Sequence, residues 1–484
     1  MLKGKHLICP ILIGALSLSI LSGCSASKKK AMFEPGTNLA AGLTGQTEDG
    51  TTVKNGFTGK TGTSYTLTFP QATQINTVIL REAGENCMGF RIEALIDGAF
   101  TTVHEQDDRI GEYRYCAFPA VTTPQLRVTV LGADADFSIE SVSVYNVEQK
   151  PADAFRVTTY ITLENAYDKE LLLRQAGSMA VITDIIFIGS AYFDADGSVR
   201  FKDLEVEGIT VSGEDAFKTS VANIREMTGG RDIRLHCNFL GPNPPDGTED
   251  YALARCDLHN EAMGTKRDRL VEQVLLIAQQ YEFDGIYFDY EYPKRFKDWY
   301  TYTGFLKALR KAADGRYELG AAVPVWKNLW ESMMIAPLDY AELMGYDCFD
   351  NSGYHATFSS TASGMVAGYD SLGIDRSKMD LGIPFYARPV DSGAFWDSYA
   401  SEADKLGKYS NIAEGPIGGV QEDGTVRDTA RYYNSYQMVY DKTAYAIDAG
   451  MAGVMTWNYS YDLPYEEELA LFRAIAQAIE DRTA

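Results

Sequence analysis

Two carboxylates two residues apart, Asp289 and Glu291, end the stretch FDGIYFDYEYP that runs from Phe283 to Pro293. If this stretch is a β-strand, Tyr287, Asp289 and Glu291 project from one face, while Ile286, Phe288 and Tyr290 project from the other. The second set is apolar enough to face a protein core. Two acids held side by side away from water cost several kcal/mol unless they share a proton or meet a cation. Mutual repulsion predicts that Glu291 stays protonated near neutral pH, the state a general acid needs. The same pair would also serve as core acids neutralised by an arginine or by backbone, so the elements around it must decide.

From Phe155 onward, buried β-runs alternate with helical stretches, the pattern of βα units around a parallel sheet. Eight runs qualify: FRVTTYI, ITDIIFIGSAYF, DIRLHCNFL, FDGIYFDYE, YELGAAVPV, YAELMGYD, MDLGIPFYA and MAGVMTWNY. Between them lie segments such as RDRLVEQVLLIAQQY, where Leu270, Val271, Val274, Leu275 and Ala278 recur at helical spacing. The predicted fold class is α/β, a (β/α)8 TIM barrel over residues 155–482, with its chemistry at the C-terminal ends of the strands. Phe33 to Glu148 instead shows short alternating runs split by turn-formers and no competing helical period, which predicts an all-β sandwich.

At the fourth barrel strand the chain resembles glycoside hydrolase family 18, the chitinases and endo-β-N-acetylglucosaminidases. Asp284, Gly285, Asp289 and Glu291 match that family's Asp-Gly-x-x-x-Asp-x-Glu signature. The sixth strand ends MGYD (Met344–Asp347), the seventh reads GIPFYAR (Gly382–Arg388), and the eighth, GVMTWNYSYD, supplies Trp457. The resemblance implies substrate-assisted catalysis, in which the acetamido oxygen of the substrate attacks its own anomeric carbon. Glu291 would protonate the glycosidic oxygen, Asp289 would hold the acetamido N–H, and Tyr346 would aim the amide. Trp457 would floor the sugar ring, with Asp347, Tyr386 and Arg388 lining neighbouring subsites. No cofactor or metal is implied. The order of β-runs in residues 33–148, with NLAAG near its start and SIESVSVYNVE at its close, resembles the discoidin fold, which includes many carbohydrate-binding modules.

Two departures from the family pattern bear on the chemistry. Where the family carries a third inward aspartate beneath Asp289, this chain has Tyr287. A phenol can donate a hydrogen bond to Asp289 but does not take its proton near neutral pH, since its reference pKa is about 10. Asp289 is therefore expected to lean toward the ionised form, with activity slowed or shifted in pH optimum. The third strand reads LHCNFLG where family members often carry Ser-x-Gly-Gly. The stretch from Pro389 to Arg431 is too short and polar for the α+β wall of many processive chitinases, which predicts an open groove. The expected partner is an oligo- or polysaccharide containing N-acetylglucosamine, a chitin fragment and an N-glycan being equally compatible. A surface lectin on the same barrel is the competing reading, and loss of the acid would favour it.

Whole-chain properties narrow the class further. The chain has 484 residues, 45% apolar and 23% charged, with a formal net charge of −23, so a phosphate backbone is repelled and nucleic acid is excluded as a partner. Lys3 and Lys5 precede an apolar run from Leu7 to Leu21 with the form of a secretory signal. It ends Leu21-Ser22-Gly23-Cys24, resembling a bacterial lipobox, which predicts a signal over 1–23, lipidation at Cys24 and a tether over 24–32. The expected location is the bacterial cell surface, with the membrane met through that anchor, and the expected state is a monomer. Of seven cysteines, Cys87–Cys116 and Cys237–Cys256 are candidate bridges, and free buried thiols are the alternative. With no Cys-x-x-Cys and no Cys/His cluster, structural zinc is not expected.

Overall fold

The computed structural model of the chain describes residues 32–151, 155–324, 329–390, 396–420 and 426–484. The apolar leader, Cys24 and the tether up to Ala31 lie outside the described residues. All eight expected barrel runs form strands: Arg156–Thr162, Asp184–Phe193, Arg234–Leu240, Gly285–Asp289, Glu318–Val323, Tyr340–Leu343, Met379–Pro384 and Gly453–Trp457. Each pairs in parallel with the next, and the eighth returns to the first with Thr456 opposite Thr159, so the sheet closes. Ile286, Phe288 and Tyr290 face the helical layer and join its apolar core. Tyr287 faces the lumen, packed with Tyr160, Ile186, Ile188, Met344 and Met455.

The base of the lumen is charged. Arg156, buried on the first strand, meets Asp184 at 3.2 Å, Glu318 at 3.1 Å and Asp380 at 3.2 Å. Arg234 adds contacts of 2.7 Å to Asp184 and 2.6 Å to Glu318. Against the burial that would raise it, His236 and these arginines hold the Asp184 carboxyl well below its usual range. Asp184, His236 and Glu318 lie close enough together to hold a metal ion. The two guanidinium groups already supply the compensating charge there.

Residues 44–145 fold as an antiparallel eight-stranded sheet around its own apolar core, which includes Phe57, Leu67, Ile92, Val128 and Val142. The runs SYTLTF and INTVILRE, separate in the sequence reading, form one strand from Ser64 to Glu82. Pro70 lacks the N–H a ladder needs, and the pairing with Arg114–Ala133 accordingly shifts register between Thr68 and Thr73 without ending the strand. The candidate disulfides do not form: Cys87, Cys116, Cys237, Cys256 and Cys348 are all free. Burial pushes the Cys116 and Cys237 thiols well above their ordinary pKa, which suppresses the thiolate that exchange requires.

The β-domain is fixed to the barrel by buried charge. Asp441, on the helix Tyr436–Asp448, takes hydrogen bonds from His104 Nε2 at 2.8 Å and Arg114 Nη2 at 3.3 Å. Its other oxygen takes the Ala117 N–H at 3.1 Å. Nearby, Tyr115 donates to Asp448 and Arg482 donates to the Asn76 carbonyl. The side chains of His104, Arg114 and Asp441 are wholly buried. Such a junction does not behave as a flexible spacer carrying a separate binding module. Asp441→Ala, which removes the acceptor of buried His104 and leaves Arg114 with Asp108 at 3.8 Å as its carboxylate partner, is expected to cost about 3–5 kcal/mol of stability, read as a lower urea midpoint with activity lost in step.

Candidate active site

At the C-terminal mouth of the barrel, the fourth strand ends at Asp289 and the chain continues to Glu291 on the rim. A cavity of about 260 Å3 opens over them, lined also by Tyr160, Ala322, Met344, Tyr346, Asp347, Tyr386, Arg388, Trp396, Trp457 and Tyr461. Asp289, Glu291, Tyr346, Asp347, Tyr386, Arg388 and Trp457, contributed by strands four, six, seven and eight, thus meet around one space. Tyr287 does not reach it. Its ring lies one layer lower, fully buried, in room left by Gly320, where a Cβ would fall 2.0 Å from the ring.

Asp289 is half-buried, and its Oδ1 is sealed from solvent with no hydrogen-bond partner. Burial, the negative charge of Glu291 and the hydrogen bond between the two carboxyl groups push its pKa well above the carboxylate range, with Arg255 acting in the opposite direction. This corrects two expectations. The carboxyl driven toward its protonated form is the inner Asp289, because it is the desolvated member, whereas Glu291 is exposed on the rim. Nor does Tyr287 donate to Asp289: its hydroxyl takes a hydrogen bond from Arg156 Nη2 at 3.0 Å and belongs to the charged base of the lumen.

Asp347 is organised by its neighbours. It accepts the Tyr386 hydroxyl and Arg388 Nε, each at 2.8 Å, and its backbone N–H donates to His355 Nε2 at 2.9 Å. Against its burial, the hydrogen bonds from Arg388 and Tyr386 and the charge of Arg388 hold its pKa well below the usual carboxylate range. Asp347 is therefore a fixed anion at the cavity wall. Tyr346 is buried, its hydroxyl 3.9 Å from Met455 Sδ, and burial together with the Asp289 and Glu291 charges raises its pKa, keeping it a neutral donor. Trp457 leans on Tyr160, with ring centroids 5.3 Å apart.

Several lining residues escaped the sequence reading. Trp396, 45% exposed, stands 5.0 Å from the Tyr461 ring and extends the aromatic wall. It lies in the polar stretch after the seventh strand, where a lone tryptophan was the available signal. On the other side of the acid pair, a second cavity of about 270 Å3 is lined by Tyr192, Leu240, Gly241, Asn243, Arg255, His259, Tyr290, Asp289 and Glu291. Arg255 and His259 sit on the helix Tyr251–Asn260, which follows the third strand and carries no motif.

An acid whose folded-state pKa is raised binds a proton that the unfolded chain has already released above about pH 3.9. The fold therefore loses stability as pH climbs from that value toward the folded-state pKa, because folded Asp289 must keep a proton that the unfolded chain gives up. Asp289→Asn is expected to raise the melting temperature at neutral pH, with the gain vanishing as pH falls to the ordinary carboxylate range. Thermal melts of both proteins across pH 3–8 check this, and a constant gain at every pH would contradict it.

The family model of glycosyl hydrolases family 18 matches residues 156–462. Chitinase A1 of Niallia circulans is 24% identical over 272 residues, 42% of this chain and 38% of that protein, so the chain spans well under half of this curated relative. A chitinase from Bacteroides thetaiotaomicron shares the fold, with a TM-score of 0.52 at 18% identity over 68% of this chain and 97% of that one. A variant of the family 18 chitinase of Cycas revoluta, solved with (GlcNAc)4, gives a TM-score of 0.51 at 18% identity over 68% of this chain and 99% of that one. With the family's extent running from the first barrel strand to just beyond the eighth, this chain belongs to glycosyl hydrolase family 18.

Proposed function

We propose that this enzyme hydrolyses β-1,4 linkages in glycans of N-acetylglucosamine, with the substrate's own amide as nucleophile and with retained anomeric configuration. The observation that carries this is the Asp289–Glu291 pair beside a cavity walled by Tyr346, Trp457, Met344 and Ala322. The sugar to be cleaved lies over Trp457, its apolar face on the indole. Its acetamide points down, the methyl toward Met344 and Ala322, the N–H toward Asp289 and the carbonyl oxygen within reach of the Tyr346 hydroxyl.

Before substrate enters, Asp289 and Glu291 share a proton. The acetamide N–H gives Asp289 a new donor, so Asp289 ionises and the proton passes to Glu291. Glu291 then protonates the glycosidic oxygen as the acetamido oxygen attacks the anomeric carbon. The bond to the leaving sugar breaks and a cyclic oxazolinium forms, its positive charge facing ionised Asp289. Water adds to the anomeric carbon from the vacated side and returns its proton to Glu291. The fixed anion Asp347, braced by Tyr386 and Arg388, holds sugar hydroxyls at the cavity wall.

Chitooligosaccharides are the first substrate to test, because the relatives are chitinases by name. The small sheet formed after the seventh strand by Tyr386–Pro389, Asp397–Ser398, Ile412–Ala413 and Arg431–Tyr432 favours a second reading: an open groove that admits branched N-glycans. Digestion of a glycan panel followed by mass spectrometry separates the two. The motif Leu21-Ser22-Gly23-Cys24 supports export and lipid anchoring at the bacterial surface.

Glu291→Gln is expected to lower kcat by about 100- to 10,000-fold with an unchanged melting temperature, and a thiazoline analogue of the oxazolinium should inhibit the parent enzyme. Binding without turnover by the parent protein would favour the lectin. Cys24→Ser is expected to move the protein from the membrane fraction to the soluble fraction of expressing bacteria, and retention in the membrane would overturn the anchor.

A further inference from the structure

The second cavity has a charge pattern that a neutral glycan does not explain. Its charged lining groups are Asp289, Glu291 and Arg255. Acids outnumber lysines and arginines 67 to 44 in this chain, yet no carboxylate among the described residues lies within ion-pair distance of Arg255. Arg388, the other cation at the site, is held by Asp347 at 2.8 Å. Arg255 Nε is buried and makes no hydrogen bond. A guanidinium partly removed from water with an unfilled donor costs free energy that an incoming acceptor would recover.

The surroundings of Arg255 are built rather than loose. Four residues on along the same helix, His259 Nδ1 donates to the Arg255 carbonyl at 2.9 Å. The His259 ring stacks on Tyr290 with centroids 3.9 Å apart. Burial pushes the His259 pKa down to about 4, so its imidazole is neutral and adds no second cation. Gly241 makes the fit possible, since a Cβ there would lie 1.9 Å from His259 Nε2. Tyr192 and Asn243 also line the cavity.

We propose that this cavity is a subsite for a sugar carrying a carboxylate, recognised by Arg255, on the leaving-group side of the bond that Glu291 protonates. The inference rests on the catalytic reading above: Glu291 lines both cavities, so a sugar seated over Trp457 in the first sends its leaving partner toward the second. A guanidinium offers a planar fork of donors that matches a carboxylate in two parallel hydrogen bonds, which an ammonium or amide does not. The preferred substrate class is thus an acidic N-acetylglucosamine glycan, and a neutral chitin fragment is the poorer substrate.

The test uses two tetrasaccharides of N-acetylglucosamine, one neutral and one with its two reducing-side sugars oxidised at C6 to carboxylates. The expected result is a kcat/KM at least ten-fold higher on the acidic substrate for the parent enzyme. That ratio should collapse toward one in Arg255→Met and be partly restored in Arg255→Lys. A role confined to tuning the charge of Asp289 would lower both substrates equally, leave the ratio unchanged and overturn the proposal. Calorimetric binding of both glycans to Glu291→Gln, with and without Arg255→Met, decides the matter even if neither glycan is cleaved. Tighter binding of the acidic glycan that depends on Arg255 supports the subsite, and equal binding removes it. Turnover of the neutral glycan without acidic preference would remove the subsite while leaving the hydrolase reading in place.

Discussion

Arg156 is the cation around which the inside of the barrel is arranged. Closing eight parallel strands puts the inward side chains of all of them into one narrow space, and here that space holds Asp184, Asp380 and Glu342 with Glu318 at its edge. So many acids would not remain packed together without a central positive charge. Arg156 contacts three of them and, through Tyr287, the strand that leads to Asp289 and Glu291. Asp380 and Glu342, pushed up chiefly by burial, share the remaining proton load between them.

That arrangement reaches the active site through one residue. In the family pattern an acid stands below Asp289 and can take up its proton. Here the position holds Tyr287, and its hydroxyl is already committed to Arg156. Asp289 is left with a bare Oδ1 and with Glu291 as its carboxyl partner. The carboxyl pushed toward its protonated form therefore sits at the mouth of the barrel rather than beneath it. The bulk of the phenol is absorbed by Gly320 on the adjoining strand, where a Cβ would collide with its ring.

The barrel and the face of its fourth strand were legible because they rest on local pattern: apolar runs of strand length, alternation within FDGIYFDYE, and helical spacing between runs. The alternation that set Tyr287, Asp289 and Glu291 against Ile286, Phe288 and Tyr290 placed the latter correctly in the helical layer. What stayed hidden depends on partners distant in sequence. Nothing near Tyr287 announces Arg156, 131 residues earlier, so the phenol was assigned to Asp289. Likewise Asp441 and Arg114, 327 residues apart, weld two domains whose connection looks like a linker. Trp396 and Arg255 sit in insertions without periodicity, where position is set by packing rather than by pattern.

The junction at Asp441 also bears on how the site is held. The helix Tyr436–Asp448 that meets the β-domain leads, after a short turn, into the eighth strand and Trp457. One face of this helix packs with the barrel core through Val439, Tyr440 and Ala446, while Asp441 on its other side is fixed by His104 and Arg114. Buried charges satisfied from both domains tolerate little displacement, because each would lose its acceptor before a new one formed. The β-domain therefore acts on the strand that carries Trp457 by limiting how the helix before it can shift. The rigidity of the cavity wall at Trp457 is in this sense a property of both domains, and a glycan-binding role for the β-domain would be added to that structural one rather than replace it.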